Sequence, residues 1–381
     1  MKHTKEIQVL YIITKLELGG AQKVCLSLLQ GLQQSGCTTA LISGSEGKLV
    51  ERVKDQPNIF LLPEFKHEVS LHAVWLEIKN FIKLVFHIKH LKKTYPNLIV
   101  HTHSTKAGIV GRWAAFFAGV KKRIHTVHGY GFHQHQSWIT WLPIYFLELI
   151  TSVITTHYVC VSSEDVKTGI RLFPRFAKKH SIIRAAVDWE QFYQPACKTT
   201  DLQPEKKAFV FGTVACFKKQ KNIFDLLKAF ARVHANNTHT RLEIIGDGTL
   251  RGAIEIWIAE HRLQEVITLH GWQHQIAPIM LTWDAFVLSS LWEGLPCAIV
   301  EARLLKLPVL SYNTGGIHDV IIPGENGFLY PQHDWQSLAQ GMLQLIQKPE
   351  LARKMKTYQE DLSDFNTATM LENHLNLYKN L

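Results

Sequence analysis

Between Trp283 and Tyr312 the sequence leaves little choice of arrangement. An apolar run from Trp283 to Ser290 stops at Leu291-Trp292-Glu293-Gly294-Leu295-Pro296. Cys297 to Lys306 then spaces its apolar residues for a helix, and Pro308 to Tyr312 is a second short apolar run. A strand, a loop, a helix and a strand in so short a span pack as a parallel pair with the helix crossing over. The loop therefore sits at the carboxyl end of the first strand, where open α/β sheets take their ligands. Glu293 lies in that loop and Glu301 in the helix. The helix start between them offers unpaired N–H groups and a positive dipole end, a seat for phosphate. One element can thus present two hydroxyl-binding carboxylates around an anion site. The plainer alternative is a solvated loop charge and a helix-face charge.

The same strand–loop–helix grammar runs through the rest of the chain. Glu6 to Ile13, Thr38 to Ser43, Asn58 to Leu62, Asn97 to His101, Arg123 to Val127 and Tyr158 to Ser162 read as strands of a first half. Ala208 to Val214, Arg241 to Ile245 and Val266 to Leu269 open the second, after a polar linker from Lys198 to Lys207. Candidate ligand positions fall at strand ends in both halves. This predicts two doubly wound domains facing across a cleft. Boundaries are expected at 1–190 and 205–364, with a final helix over 365–381. A chain of 381 residues is long enough for two such cores.

In the first half, Gly19-Gly20 separates the first strand from a helix that runs to about Gln34, letting backbone approach a ligand closely. It is not a G-x-G-x-x-G fingerprint. Three histidines, His101, His103 and His128, lie at the ends of strands; no Asp-x-Asp or H-E-x-x-H accompanies them, so a metal site is not expected. Gly111 to Phe117 reads as a helix. In the second half, Cys216-Phe217-Lys218-Lys219-Gln220-Lys221 follows a strand, where lysines are placed to neutralise a diphosphate. Gly246-Asp247-Gly248 follows the next strand.

Two stretches bear on membranes. His67 to Tyr95 carries Trp75, Ile78, Phe81, Ile82, Leu84, Val85, Ile88 and Leu91 at helical spacing, opposite Lys79, Lys83, His87, Lys89, Lys92 and Lys93. Such a helix either packs on its own sheet with a solvated basic face or lies on anionic lipid. Trp138 to Thr156 is the most apolar region, broken by Pro143 and Glu148, and reads as a buried helix; a patch dipping into a membrane is the alternative. No uninterrupted apolar run reaches about 20 residues, so no transmembrane helix is expected. Neither is a signal peptide, since Val9 to Ile13 is short and Thr14-Lys15-Leu16-Glu17 breaks it. The six cysteines are scattered without a Cys-x-x-Cys pair, as in a reduced, cytoplasmic protein. The net charge of +10 suits polyphosphate ligands or anionic lipid. With no zinc-finger, RNA-recognition or Arg-rich signature, nucleic acid is not expected as a partner.

Several of these segments together resemble the retaining glycosyltransferases of family 4, which have the GT-B fold. They are the Glu293–Glu301 unit with its following Gly315-Gly316 and Pro323-Gly324-Glu325-Asn326-Gly327 turns, the Gly19-Gly20 loop, Thr126-Val127-His128-Gly129, and the Lys221 and Gly246-Asp247-Gly248 loops. The likeness covers most of the chain and implies that the final helix, 365–381, returns to the first domain. It implies transfer of a hexose-type sugar from a nucleotide-diphosphate sugar, UDP- or GDP-linked, to a saccharide or polyprenyl-linked acceptor in surface polysaccharide assembly. The reaction would be retaining and metal-independent, without cofactor, in an enzyme peripheral to the inner face of the cytoplasmic membrane.

Residue by residue, the likeness casts His128, Glu293 and Lys221 as catalytic, with His128 and Glu293 on the sugar. Lys218 and Lys221 would hold the diphosphate, and Glu301 the ribose. Gly19, Gly20, Gly246, Gly248, Gly294, Leu295 and Pro296 would line the donor. His101 and His103 are left as cleft-lining, and His270-Gly271-Trp272 resembles the segment beside the base. Two departures stand out. Cys216 occupies the place of the family's arginine, with Lys218 as the candidate substitute; and Arg184-Ala185-Ala186 replaces its Asn-Gly interdomain segment. A nucleotide-sugar 2-epimerase of the same fold, or a non-catalytic sugar-nucleotide binder, are the alternatives.

Overall fold

The computed structural model describes residues 7–63, 65, 74–193 and 208–381. The expected linker, 198–207, and the first residues of the 67–95 helix lie outside them. The chain divides into two compact units, Met1–Ala186 with Asp364–Leu381, and Val187–Ser363.

Unit 1 is built on seven parallel strands. In chain order they are β1 (Gln8–Ile13), β2 (Thr38–Ser43), β3 (Ile59–Leu61), β4 (Ile99–His103), β5 (Lys122–Val127), β6 (His157–Cys160) and β7 (His180–Ile182). Their spatial order is β3-β2-β1-β4-β5-β6-β7. β1 is an interior strand, buried along Val9–Ile13, hence its unbroken apolar run. Between the strands lie α1 (Gly20–Gln34), α2 (Val74–Thr94), α3 (Thr105–Phe117), α4 (Trp138–Ile154) and α5 (Ser163–Leu172). The chain leaves β1 toward β2 and β3, then crosses back to β4 and onward to β7. Because such crossovers are right-handed, α2, α3, α4 and α5 share one face of the sheet and α1 takes the other. The last helix, α13 (Thr367–Asn380), packs on α1 and starts at Asn366, whose Oδ1 accepts from the Ala368 amide at 2.8 Å.

Unit 2 has six parallel strands: β8 (Phe209–Val214), β9 (Thr240–Ile245), β10 (Ile267–Gly271), β11 (Ala285–Leu288), β12 (Val309–Tyr312) and β13 (Gly327–Tyr330). They are ordered β10-β9-β8-β11-β12-β13. Its helices are α6 (Trp189–Phe192), α7 (Ile223–Asn236), α8 (Arg251–Glu260), α9 (Ala277–Met280), α10 (Cys297–Leu304), α11 (Trp335–Gln347) and α12 (Pro349–Thr357). On α7, Ile223, Leu226, Leu227, Phe230 and Val233 form the buried stripe at helical spacing. Trp283 lies flat on Gly212 of β8, where an added Cβ would stand 1.9 Å from the indole. That glycine is a packing requirement.

Four expectations are corrected. β4 runs two residues past His101, so His101 lies within the strand and is fully buried. α3 begins at Thr105, not Gly111: Ser104 turns the chain with φ +65°, and Ala107, Gly108 and Gly111 are small enough to pack the helix tightly on the sheet. The segment over 138–156 is a helix but not a buried one. Trp138, Ile139, Leu142, Phe146, Leu147, Ile150 and Val153 all face outward. On α2, Leu84 and Ile88 are buried, whereas Ile78 and Ile82 point away from the sheet.

Candidate active site

In unit 2 the chain leaves β8 toward β9 on one side, while β11, the other neighbour of β8, leads away to β12. The gap between the carboxyl ends of β8 and β11 is therefore a topological switch point, where doubly wound sheets bind ligands. The loop after β8 carries the lysines; the loop after β11 carries Glu293. The structure ties the two together. Lys221 Nζ lies 2.5 Å from Glu293 Oε1, and Gln220 Nε2 donates to the Trp292 carbonyl at 2.7 Å. Ser289 Oγ donates to the carbonyls of Lys221 and Asn222 at 3.0 and 2.9 Å. Both partners of the Lys221–Glu293 pair are largely buried, so the pair gains more than a surface ion pair does.

From the other side the turn after β12 closes on the same loop. The Gly316 amide donates to the Gly294 carbonyl, and a Cβ at Gly315, whose φ is +53°, would collide with the Glu293 carbonyl. Glycine is required there by both backbone conformation and contact. Pro296 precedes α10 in an extended conformation, and no side chain caps the helix start. Its first amides lie beside Gly294-Leu295-Pro296, the arrangement that suits an anion. Glu301, just over one turn into α10, is buried. Lys218 is exposed, with no acidic partner among the described residues.

Gly246 and Gly248 let the loop after β9 lie against the lysine loop. A Cβ at Gly246 would meet the Ala215 carbonyl at 2.0 Å, and one at Gly248 the Phe217 carbonyl at 2.8 Å. The Phe217 amide donates to the Asp247 carbonyl at 2.9 Å. Trp272 is 40% exposed, while His270 Nε2 is 3.1 Å from Glu243 Oε2.

Unit 1 has its own switch point, between β1 and β4. Thr14 Oγ1, after β1, is 2.7 Å from Ser104 Oγ, after β4. Gly19 stands at the start of α1 in an extended conformation without a side-chain cap, and Gly20 is the first helical residue. Next along, His128 follows β5. Its Nε2 lies 3.0 Å from His103 Nδ1, and the two rings stack with centroids 5.3 Å apart. His103 stacks in turn on His101 at 4.7 Å. His101 bonds Thr126 Oγ1 at 2.7 Å and Tyr378 Oη at 2.6 Å, and Tyr378 Oη lies 3.2 Å from Tyr11 Oη. His101 and His103, expected to line a cleft, are interior: His101 bolts the final helix to the sheet, and His103 backs His128. Burial holds His101 and His103 well below the usual histidine range and brings His128 down to about 4, so all three are neutral.

The structure thus brings Glu293 and Lys221 into contact, with Gly294, Leu295, Pro296 and Glu301 continuing the same element; Gly246 and Gly248 pack behind the lysines. In unit 1, Gly19 and Gly20 open α1, and His128 follows β5. Sequence reasoning missed Gln220, Ser289 and Thr314, which hold the Glu293 loop. Gln220 and Thr314 are ordinary polar residues in loops and Ser289 ends an apolar run, and nothing in their spacing marks them.

Residues 18–191 match the family described as Glycosyltransferase Family 4, and residues 199–361 match Glycosyl transferases group 1. The chain is 30% identical to UDP-Gal:alpha-D-GlcNAc-diphosphoundecaprenol alpha-1,3-galactosyltransferase of Escherichia coli, over 99% of this chain and 98% of that protein. It is 24% identical to the capsular polysaccharide biosynthesis glycosyltransferase CapM of Staphylococcus aureus, over 81% of each. Among solved structures, Anabaena HepE in complex with UDP and glucose superposes with a TM-score of 0.81 at 16% identity, covering 99% of this chain and 100% of that one. Sucrose-phosphate synthase of Thermosynechococcus elongatus gives 0.82 at 18%, covering 98% and 99%. The two parallel-sheet units are those of the GT-B fold, and the chain belongs to glycosyltransferase family 4.

Proposed function

We propose that this enzyme transfers a hexose from a UDP-sugar to a lipid-diphosphate-linked saccharide, in the assembly of a surface polysaccharide. The observation that carries the reading is the Lys221–Glu293 pair at the β8/β11 switch point, beside the uncapped start of α10. Full-length likeness to a galactosyltransferase that acts on a diphosphoundecaprenol-linked sugar supports the donor and acceptor classes.

In this reading the donor diphosphate takes Lys221 from Glu293, with Lys218 as the second cation and the α10 amides around the β-phosphate. Glu293, released, binds sugar hydroxyls, and Glu301 the ribose. The bond from the anomeric carbon to the diphosphate oxygen breaks while the acceptor hydroxyl bonds the same face of that carbon. The hydroxyl proton leaves on the departing phosphate oxygen. Charge therefore builds on the diphosphate, and each fixed donor aimed there lowers the barrier by on the order of 3 kcal/mol. His128, neutral, contacts the transferred sugar. Transfer with retention needs no divalent metal in this scheme, since the Lys221, Lys218 and amide charges take its place. A lipid-linked acceptor places the enzyme peripherally on the inner face of the cytoplasmic membrane.

The donor half is tested by thermal stability against UDP-, GDP-, ADP- and dTDP-sugars, beside Glu301→Ala. A ligand at 100 times its dissociation constant adds about 2.7 kcal/mol. A shift with UDP-sugars, lost in Glu301→Ala, supports the reading. A shift with another nucleotide alone would replace the donor, and none at all would favour a non-catalytic relative.

A further inference from the structure

The face of unit 1 formed by α2, α3 and α4 carries more apolar surface than a solvated crossover layer needs. α2 packs on α3 and α3 on α4, so the three form one row. On α2, Ile78, Ile82 and Phe86 are exposed at successive four-residue steps. At the end of α3, Phe116 and Phe117 face outward, the latter 60% exposed. On α4 the exposed stripe runs the whole helix, from Trp138 at 73% to Val153 at 74%. Scattered surface leucines need no explanation; a continuous row of aromatic and branched side chains does.

The charges on the same row have one sign. Its acidic residues are Glu77 on α2 and Glu148 on α4, and each is taken by a cation of α3. Lys106 Nζ lies 2.7 Å from Glu77 Oε1, and Arg112 holds Glu148 with two bonds of 2.7 and 3.0 Å. The α2 stripe continues past Phe86 into exposed Lys89 and Lys93. Lys92 Nζ donates to the Gly119 carbonyl at 2.6 Å, which sets this basic end against exposed Lys121 beyond α3. The row is therefore apolar along its length and basic along α2, where exposed Lys79 and Lys83 lie beside Ile78 and Ile82, with Lys89, Lys93 and Lys121 gathered at one end. Among the described residues no helix is long and apolar enough to cross a membrane.

We infer that this three-helix face docks flat on an anionic phospholipid bilayer, with the α4 stripe in the acyl–headgroup boundary and the Lys89, Lys93 and Lys121 end on the lipid phosphates. A tryptophan at the end of the most apolar helix suits that boundary, where one edge of the ring is wet and the other dry. The uniform positive sign favours lipid over a second copy of the chain, which would set two faces of like charge together. The inference rests on the proposed lipid-linked acceptor only for its purpose; the surface is read without it.

The test is flotation of the full-length protein with vesicles of phosphatidylglycerol and phosphatidylethanolamine, against phosphatidylcholine alone, with no donor or acceptor present. The inference expects flotation on the anionic vesicles, weakened by salt. Lys89→Glu/Lys93→Glu should lower vesicle affinity by about tenfold or more. Trp138→Ser/Phe146→Ser/Val153→Ser should abolish flotation while the thermal shift by UDP-sugars persists in both variants. The lysine variant changes only exposed residues, so it decides the matter even if the triple variant unfolds. Absence of flotation, equal flotation on phosphatidylcholine, or indifference to the lysine changes would overturn the inference. So would a reversible dimer in sedimentation that the triple variant dissolves, which would give the face to a second copy. A failure of sugar transfer leaves flotation untouched, and a failure of flotation leaves donor binding untouched.

Discussion

Lys221 Nζ sits 2.5 Å from Glu293 Oε1 across the two loops that flank the β8/β11 switch point. The residue proposed for the diphosphate and the residue proposed for the sugar are thus each other's partners. The pair keeps a cation and a carboxylate in place at a site that would otherwise hold either one alone and half-buried. A donor that brings both a diphosphate and hydroxyls can satisfy both partners as it separates them.

Glu293→Gln therefore frees Lys221. UDP alone should bind more tightly, by roughly fivefold, corresponding to about 1 kcal/mol for a competing ion pair. Transfer should nonetheless slow, because the sugar contact is weakened. Calorimetric titration with UDP, beside steady-state kinetics, checks both. Weaker UDP binding in this variant would mean that Glu293 does not compete for Lys221.

The His103–His128 contact makes a second prediction. Among the described residues His103 Nε2 is buried without a partner, and an orphaned buried acceptor is better tolerated than an orphaned N–H. The proton is therefore assigned to His103 Nδ1, donating to His128 Nε2, and His128 carries its own proton on Nδ1. His128→Ala should lower kcat by about 10², the scale for losing one oriented polar contact in a transfer site. His103→Leu should lower kcat by less and leave the donor KM unchanged, since His103 acts by positioning. Nitrogen chemical shifts of the imidazoles report the tautomer directly.

Acid should unfold unit 1 through the same cluster. Burial lowers His101, His103 and His125 well below 6.5, and His128 and His374 to about 4. The folded state binds these protons less readily than the unfolded chain, so stability is constant above about pH 6.5 and falls as pH drops toward about 4. For His374, nearly fully buried on α13, that descent is on the order of 3 kcal/mol. His374→Leu should flatten the loss between those pH values in a melting series. An unchanged acid limb would acquit this residue.

The α3–α4 joint depends on Arg112 and Glu148, both buried. Glu148→Ala leaves an uncompensated guanidinium in the interior and should cost about 3–5 kcal/mol, read by denaturant unfolding. Glu148→Gln, which keeps one acceptor, should cost less. Equal, small losses would show that Arg112 finds other acceptors, of which Thr155 Oγ1 at 2.9 Å and the Gly108 carbonyl at 2.7 Å are at hand.

Much of the architecture was legible because buried parallel strands write themselves as unbroken apolar runs; Thr38 to Ser43 is β2 residue for residue. The β8–β11 loops were legible because their residue types, glycines and lysines after strands, have few other uses. Other features were hidden for physical reasons. β13 lies immediately behind the Pro323–Gly327 turn and is too short to show an alternation. α3 starts among Thr105, Lys106, Ala107 and Gly108, which look like a loop until the tight packing against His125 and Thr102 is seen. The exposure of α4 was not readable from composition alone, because an exposed apolar helix and a core helix use the same side chains. Histidine roles depended on where β4 ends, and two residues decided which ring was structural.

The most direct test of the central claim is the product itself. Incubation with a panel of UDP-hexoses and a lipid-diphosphate-linked saccharide, followed by NMR of the product, reports transfer and stereochemistry together. The account predicts release of UDP and a lipid-linked product extended by one α-linked hexose, the anomeric configuration of the donor retained. A β-linked product would contradict retention. Free epimerised sugar made without acceptor would contradict transfer.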